Sequence, residues 1–169
     1  MDSTTLAKAL SGPSWRFVAS HPAHVIALLG GVGLIRFAPG TFGTLGALPL
    51  HLWAAAHLNA YVHLAAIAAL FAIGIWAAGR TSRDLGVADH GGIVWDETVA
   101  FLLVLFFTPP AAVWQAAAFA LFRVFDIFKP PPIRHFDRTL HGGFGVMFDD
   151  LLAAGYSLLC LAAAKALLD

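Results

Sequence analysis

Five stretches of the chain are apolar almost without interruption, and most of the charged residues lie between them. The stretches cover residues 24–35, 45–58, 61–79, 99–122 and 151–168. Only the third and the fifth approach the ~20 residues that cross a bilayer alone. The fourth contains Pro109 and Pro110, which cannot continue a helix interior. We therefore predict a helical hairpin with its turn at these prolines.

Each limb of this hairpin crosses most of a ~30 Å hydrocarbon core only if its helix continues into the polar flank, since a helix rises ~1.5 Å per residue. The extended limbs would include Asp96 and Glu97 on one side and Asp126 on the other. These acids would then lie at helix ends near the membrane surface. Residues 24–35 are too short to span, and the pattern leaves open a re-entrant, interfacial or packed segment.

The composition agrees with a membrane protein. Hydrophobic residues make up 59% of the chain and charged residues 12%, which a water-soluble domain would find hard to cover. We predict an all-α, polytopic integral membrane bundle of about four transmembrane helices with short re-entrant or interfacial segments. The 169 residues form one domain, 1–169, without a linker or repeat. The formal net charge of zero gives no indication of a nucleic-acid surface, and the oligomeric state is left open.

The basic residues indicate which side of the membrane carries the chemistry. The connections around Asn59 and at Pro109 contain no Lys or Arg. The segments between residues 80 and 150 contain Arg80, Arg83, Arg123, Lys129, Arg134 and Arg138. By the positive-inside tendency the second side is cytoplasmic. Counting hairpins places Arg36 and the acidic residues on that same side.

Two pairs of adjacent carboxylates are the main candidates for chemistry: Asp96 with Glu97, and Asp149 with Asp150. One acid can cap a helix, but a second adds like-charge repulsion that a divalent cation would relieve. Ligands that are all oxygen favour magnesium over manganese or calcium and disfavour zinc. The single Cys160 excludes a multi-cysteine metal site.

Other motifs suit an anionic ligand. Arg123, Asp126 and Lys129 are spaced three residues apart and could share one helical face. The Gly-Thr turn at residues 40–44, preceded by Arg36, could point N–H groups at an anion, or it could simply begin a helix. Glycines at 142, 143 and 145 predict a flexible turn leading to Asp149 at a helix start. His90, close to Asp96, is a candidate for proton transfer or ligation.

Four ordered blocks of the chain resemble the phosphatidylglycerophosphatase A family over residues of about 31–156. They are Ala38-Pro39-Gly40-Thr41-x-Gly43-Thr44; Asp89-His90-Gly91-Gly92-Ile93-Val94-Trp95-Asp96-Glu97; Phe122-Arg123-x-Phe125-Asp126-Ile127-x-Lys129-Pro130 with Pro132-Ile133-Arg134 and Asp137-Arg138; and Gly142-Gly143-x-Gly145-x-Met147-x-Asp149-Asp150. Residues 1–20 have no counterpart in that pattern and form an N-terminal extension.

The resemblance implies a Mg²⁺-dependent phosphatase of the bacterial inner membrane, with its active site facing the cytoplasm, that converts phosphatidylglycerophosphate in the bilayer to phosphatidylglycerol. One or two Mg²⁺ ions would be held by Asp96, Glu97, Asp126, Asp149 and Asp150. These acids and Lys129 would be the catalytic residues. Candidates for substrate binding are Arg36, Thr41, Thr44, Arg123, Lys129, Arg134 and Arg138. His90 is a further candidate for proton transfer, and both a water and an aspartate remain as nucleophiles.

Two other classes of function are open. A divalent-cation transporter also places acids near a membrane, but the neighbouring arginines and Lys129 would repel a permeating cation. A noncatalytic protein that binds anionic lipids would use the basic residues and leave the paired acids unexplained. Nearer enzyme alternatives are another lipid-phosphate phosphatase or a CDP-alcohol transferase, although the long acidic signature of the latter is absent from the sequence.

Overall fold

A computed structural model of the protein describes residues 12–168, and within these residues every regular element is a helix and none is a strand. The all-α prediction is confirmed. Of the expected N-terminal extension, residues 1–11 lie outside the described residues. The helices are α1 Trp15–Ala19, α2 Pro22–Ala27, a 3₁₀ segment Leu29–Leu34, α3 Pro39–His57, α4 Ala60–Leu85, α5 Trp95–Phe107, α6 Ala112–Phe128, α7 Ile133–Thr139 and α8 Gly142–Leu168.

The predicted proline hairpin is present as the pair α5 and α6. Helix α5 ends at Phe107 and α6 begins at Ala112, so the two prolines lie in the connection. At their other ends the helices continue into the polar flanks, to Trp95 and to Phe128. The acidic residues of both limbs therefore lie within the first turn of α5 and the last turn of α6, as predicted.

The segment 24–35 is a packed helix and turn. Helix α2 contributes Ala23 and Ala27, both fully buried, to a small cluster with Ala77 and Ala78 of α4. Alanines on both sides bring the two helices close together. Val94 then donates its backbone N–H to the Ala27 carbonyl at 2.9 Å, so α2 also holds the residue that precedes α5.

Helix α8 begins nine residues before the apolar stretch that predicts it, and its first turns are glycine-rich. A Cβ atom on Gly143 would lie 1.8 Å from the Ile75 carbonyl oxygen and 2.7 Å from the Gly79 nitrogen, so glycine lets α8 pack on α4. Asp149 and Asp150 consequently lie in the third turn of a continuous helix. The prediction of a flexible glycine turn leading to a helix start was wrong at this point.

The core surrounds α5, which packs between α3, α4, α6 and α8. Its largest buried side chains include Phe101, Leu105, Phe122 and Met147. Two helices, α4 and α8, are long and apolar enough to cross a membrane by length and composition. Large apolar side chains are exposed along the outside of the bundle, which is typical of a surface that another apolar phase covers; they include Trp53, Tyr61, Phe107, Val113 and Leu159. The count of about four spans stays a prediction.

Candidate active site

Three carboxylates from two helices meet at one end of the bundle. Asp96 and Glu97 lie in the first turn of α5, and Asp150 lies on the facing side of α8. One oxygen from each lies within 4.8 Å of the others. Asp96 and Asp150 are only 6% and 3% exposed. The first turn of a helix favours acids, but three carboxylates so close together repel one another strongly in this buried setting.

Arg123 offsets part of this charge. Its Nη1 atom lies 2.6 Å from Asp126 Oδ2, one turn further along α6, and 3.8 Å from Glu97 Oε1. The same nitrogen donates to Thr44 Oγ1 at 3.3 Å. Arg123 therefore links α6 to α3 and to the three-carboxylate cluster. The structure thus brings together four residues predicted for the site, namely Arg123, Asp126, Glu97 and Thr44.

A second group of charges surrounds Lys129, the residue that follows the last residue of α6. Its Nζ atom donates to Asp137 Oδ1 at 2.6 Å and also contacts Asp149 Oδ2. Burial by itself lowers the pKa of Lys129, but these two carboxylates outweigh burial and hold the pKa above its usual value. Lys129 is therefore a permanent cation at neutral pH.

Sequence reasoning missed two acids near Lys129. Asp89 and Asp137 line a cavity of about 50 Å³ together with Asp149. Both residues belong to the quoted motif blocks, but each is a single acid among other polar residues. The short connection between α6 and α7, together with the packing of α7 against α8, brings Asp137 to Lys129. Asp89 could have been found from its position directly before His90. The sequence pattern singles out acids mainly where two carboxylates are adjacent, and Asp89 has no acidic neighbour.

The donor set fits a hard divalent cation. Glu97 Oε2 and Asp149 Oδ1 are buried and have no hydrogen-bond partner among residues 12–168. Unpaired buried carboxylate oxygens are costly, and a cation would satisfy them. All the candidate ligands are oxygens, which Mg²⁺ prefers. Asp96, Glu97 and Asp150 form the most compact candidate site, with Asp126 and Asp149 beside it.

The Gly-Thr turn contributes to this site through its backbone. Gly43 packs so closely on the residue that precedes α5 that a Cβ atom there would lie 2.7 Å from Val94 Cβ. Thr98 of α5 donates its hydroxyl to the Gly43 carbonyl at 2.8 Å. Thr44 is fully buried, and it donates to the Gly40 carbonyl at 2.8 Å while it accepts from Arg123. This placement gives Thr44 a supporting role, whereas Thr41 is half-buried in the first turn of α3.

The remaining predicted basic residues do not join the carboxylates. Arg134 and Arg138 lie exposed on α7, and Arg134 Nη2 donates to the Phe128 carbonyl at 3.0 Å. Arg36 is exposed in the loop before α3. Together with His90 it lines a separate cavity of about 350 Å³.

Comparison with known proteins agrees with this arrangement. Residues 25–165 match the family described as Phosphatidylglycerophosphatase A. A phosphatidylglycerophosphatase A from Haemophilus influenzae is 46% identical over 140 residues, covering 82% of this chain and 86% of that protein. Its Escherichia coli counterpart is 40% identical over 139 residues, covering 82% and 80%.

A protein from Bacteroides thetaiotaomicron, provisionally named a phosphatidylinositol-3-phosphatase, is 39% identical over 156 residues, covering 85% of this chain and 96% of its own. No solved structure matches the chain. The family match covers most of the chain, and its extent includes every carboxylate described above. The chain therefore belongs to the phosphatidylglycerophosphatase A family and is a phosphatase.

Proposed function

We propose that this phosphatase hydrolyses the terminal phosphomonoester of phosphatidylglycerophosphate, with Mg²⁺ as cofactor, to give phosphatidylglycerol and phosphate. The observation that carries the proposal is the cluster of Asp96, Glu97 and Asp150, whose oxygens lie within 4.8 Å of one another. The names of the relatives from Haemophilus influenzae and Escherichia coli support the choice of substrate.

Mg²⁺ would be held by Asp96, Glu97 and Asp150, with Asp126 and Asp149 as further ligands. When bound, it supplies Lewis-acid stabilisation of the phosphoryl oxygens and acidifies water. The protein must present these acids in the correct geometry before the cation arrives. Trp95 helps to do so, because its indole N–H donates to the Leu70 carbonyl at 3.1 Å and ties the start of α5 to α4.

The positive side chains would orient the phosphate. Lys129 is partly exposed and carries three N–H donors, of which Asp137 and Asp149 engage two. Its remaining donor can reach a phosphoryl oxygen. Arg134 and Arg138, exposed on α7, would attract the anionic headgroup from solution. Arg123, which pairs with Asp126 and Glu97, would offset part of their negative charge beside the phosphate.

Asp149 differs from the other acids, because one of its oxygens pairs with Lys129 while Oδ1 is buried without a partner in the described residues. Where this oxygen is not committed to the cation, it can take a proton from water or attack phosphorus directly. Trapping with hydroxylamine separates the two routes, since it converts an aspartyl phosphate to a hydroxamate on Asp149 and leaves the water route unmarked.

A bacterial inner-membrane location with several spans and a cytoplasmic active site belongs to this proposal. The two candidate spans, α4 and α8, and the exposed apolar side chains of the bundle support it. In this setting the acyl chains of the substrate stay in the leaflet while the headgroup reaches the carboxylates. A cation-transport role is disfavoured, because Arg123 and Lys129 form ion pairs with the acids that a permeating cation would have to use.

The test is phosphate release from phosphatidylglycerophosphate by purified protein in detergent, with Mg²⁺ and then with a chelator. Asp126→Asn removes a charge from the site, and Asp84→Asn is the matched control, since Asp84 pairs with Arg80 and His24 on another part of the bundle. We expect Mg²⁺-dependent release that Asp126→Asn loses and Asp84→Asn retains. Wild-type rates in Asp126→Asn at saturating Mg²⁺, or no release by the wild type, would overturn the proposal. Phosphatidylinositol 3-phosphate in the same assay tests the substrate that the Bacteroides name suggests.

A further inference from the structure

A polar cavity of about 350 Å³ lies next to the three-carboxylate cluster. Pro39 lines this cavity, and the following residue, Gly40, packs directly on Glu97. Consecutive Cα atoms are about 3.8 Å apart, so only the first turn of α3 separates the cavity from the carboxylates. A single headgroup could therefore contact both.

The lining of the cavity suits an anion. Arg36 lines it from the loop before α3, and His90 lines it from the loop before α5. None of the lining residues that the structure describes is acidic. The nearby carboxylates repel an anion, whereas the arginine and the imidazole of this cavity can donate hydrogen bonds to it.

The imidazole of His90 is oriented by its own loop. The Gly92 backbone N–H donates to His90 Nδ1 at 3.0 Å. A neutral His90 whose Nδ1 accepts this bond carries its proton on Nε2. The available atom of the ring is then an N–H donor. This favours anion binding by His90 over the general-base role that its sequence position also suggests.

The 3₁₀ segment that leads to Arg36 and the loop that carries His90 are held together through glycine. A Cβ atom on Gly33 would lie 1.8 Å from the Gly92 carbonyl oxygen, and one on Gly92 would lie 2.8 Å from the Gly33 oxygen. The end of the 3₁₀ segment and the loop before α5 therefore contact each other backbone to backbone. This contact fixes the spacing between the Arg36 and His90 sides of the cavity.

We propose that the cavity binds the internal phosphodiester of the lipid headgroup, with Arg36 and His90 as its donors. The inference rests on the proposed function, in which the terminal phosphate occupies the carboxylate cluster. The substrate has two phosphates joined by one glycerol, so its diester must lie close to the cluster yet away from the carboxylates. The cavity meets both requirements. It makes the enzyme selective for headgroups that carry a second phosphate.

The test compares steady-state kinetics of Arg36→Gln and His90→Asn with the wild type on phosphatidylglycerophosphate in mixed micelles. Asparagine keeps an acceptor near the Nδ1 position for Gly92 but lacks the distal N–H. Losing a hydrogen bond to a charged group should raise KM about tenfold in each variant, with kcat within about twofold. Inhibition by phosphatidylglycerol, which has the diester alone, should weaken by the same factor. Arg16→Gln is the matched control, an exposed arginine of α1 outside the lining.

The outcomes distinguish a role of the cavity in binding the headgroup from a role in the chemical step. Raised KM and weakened product inhibition in both variants, with Arg16→Gln unchanged, support the phosphodiester site. Unchanged KM and inhibition in an active background overturn it and leave the proposed function standing. A loss confined to kcat also overturns it, because that result assigns the residues to the chemical step. If the wild type releases no phosphate, the proposed function itself fails.

Discussion

The backbone of Gly40 lies directly against the carboxylate of Glu97. A Cβ atom on residue 40 would be 2.0 Å from Glu97 Oε1 and 3.2 Å from Arg123 Nη1. The first turn of α3 therefore forms one wall of the candidate metal site. The glycine that the sequence presents as part of an anion cradle is, in the fold, the residue that makes room for a candidate metal ligand.

Replacing Gly40 with alanine should displace the Glu97 carboxylate and lower kcat about a hundredfold, because a shift of roughly 1 Å in a reacting group has an effect of that order. Gly46→Ala on the same helix is the control. Its Cβ atom would meet only the end of the Leu29 side chain, at 2.9 Å, and that side chain can move. Equal rates for the two variants in the phosphate-release assay would contradict this role of Gly40.

Neutralising Asp150 should remove the stabilisation of the protein by a bound cation without lowering its stability in the absence of cation. In the absence of divalent cation, Asp150→Asn should melt at or above the wild-type Tm, because the three-carboxylate cluster loses one of its mutually repelling charges. Mg²⁺ should stabilise the wild type by about 2.7 kcal/mol at a hundred times its Kd, and this gain should disappear in the variant.

Thermal melts in detergent, with and without Mg²⁺, measure both effects of Asp150→Asn. Asp84→Asn makes the same charge change outside the cluster and should keep the full Mg²⁺ response. A variant that responds to Mg²⁺ as the wild type does would show that the cation binds elsewhere.

The raised pKa of Lys129 has a defined consequence for pH dependence. A raised pKa means that the contribution of the ammonium is complete below its ordinary pKa of about 10 and is lost only above it. Lys129 should therefore produce no limb in the profile of kcat/KM between roughly pH 6 and pH 9. Lys129→Met should lose activity, because Asp137 and Asp149 lose their shared cation.

Lys129→Arg tests whether Lys129 stays charged across the assay range or loses its proton within it. Arginine remains charged at every pH of the assay, so any alkaline limb seen in the wild type should stay at the same pH in the variant, whatever its absolute rate. A limb that moves or vanishes in Lys129→Arg would mean that Lys129 itself titrates in the wild type.

The contact between α4 and α8 should be sensitive to a single methyl group. Gly143→Ala places a Cβ atom where the Ile75 carbonyl lies, and we expect a loss of about 1–3 kcal/mol in the free energy of unfolding. Gly155→Ala on the same helix has no atom within 4 Å of its new Cβ and should be neutral or stabilising by up to about 1 kcal/mol. Denaturant or thermal unfolding of the two variants gives the comparison, and similar stabilities would refute close packing at Gly143.

The sequence by itself determined the helical class, the proline hairpin and the main acids of the site. These follow from local rules. Apolar runs with charged flanks predict helices, Pro109 and Pro110 end them, and adjacent carboxylates such as Asp96 and Glu97 are visible as pairs. The four motif blocks also carried the family resemblance, which the comparisons confirm.

Tertiary structure decided which charges meet. Asp150 joins Asp96 and Glu97 while its neighbour Asp149 pairs with Lys129, because successive residues of a helix point in different directions. Asp89 and Asp137 approach Asp149 only through packing between distant segments. Glycines at 40, 92 and 143 stand in the motif blocks of the sequence, but their function as close contacts depends on the atoms that face them in the fold, which no local pattern specifies.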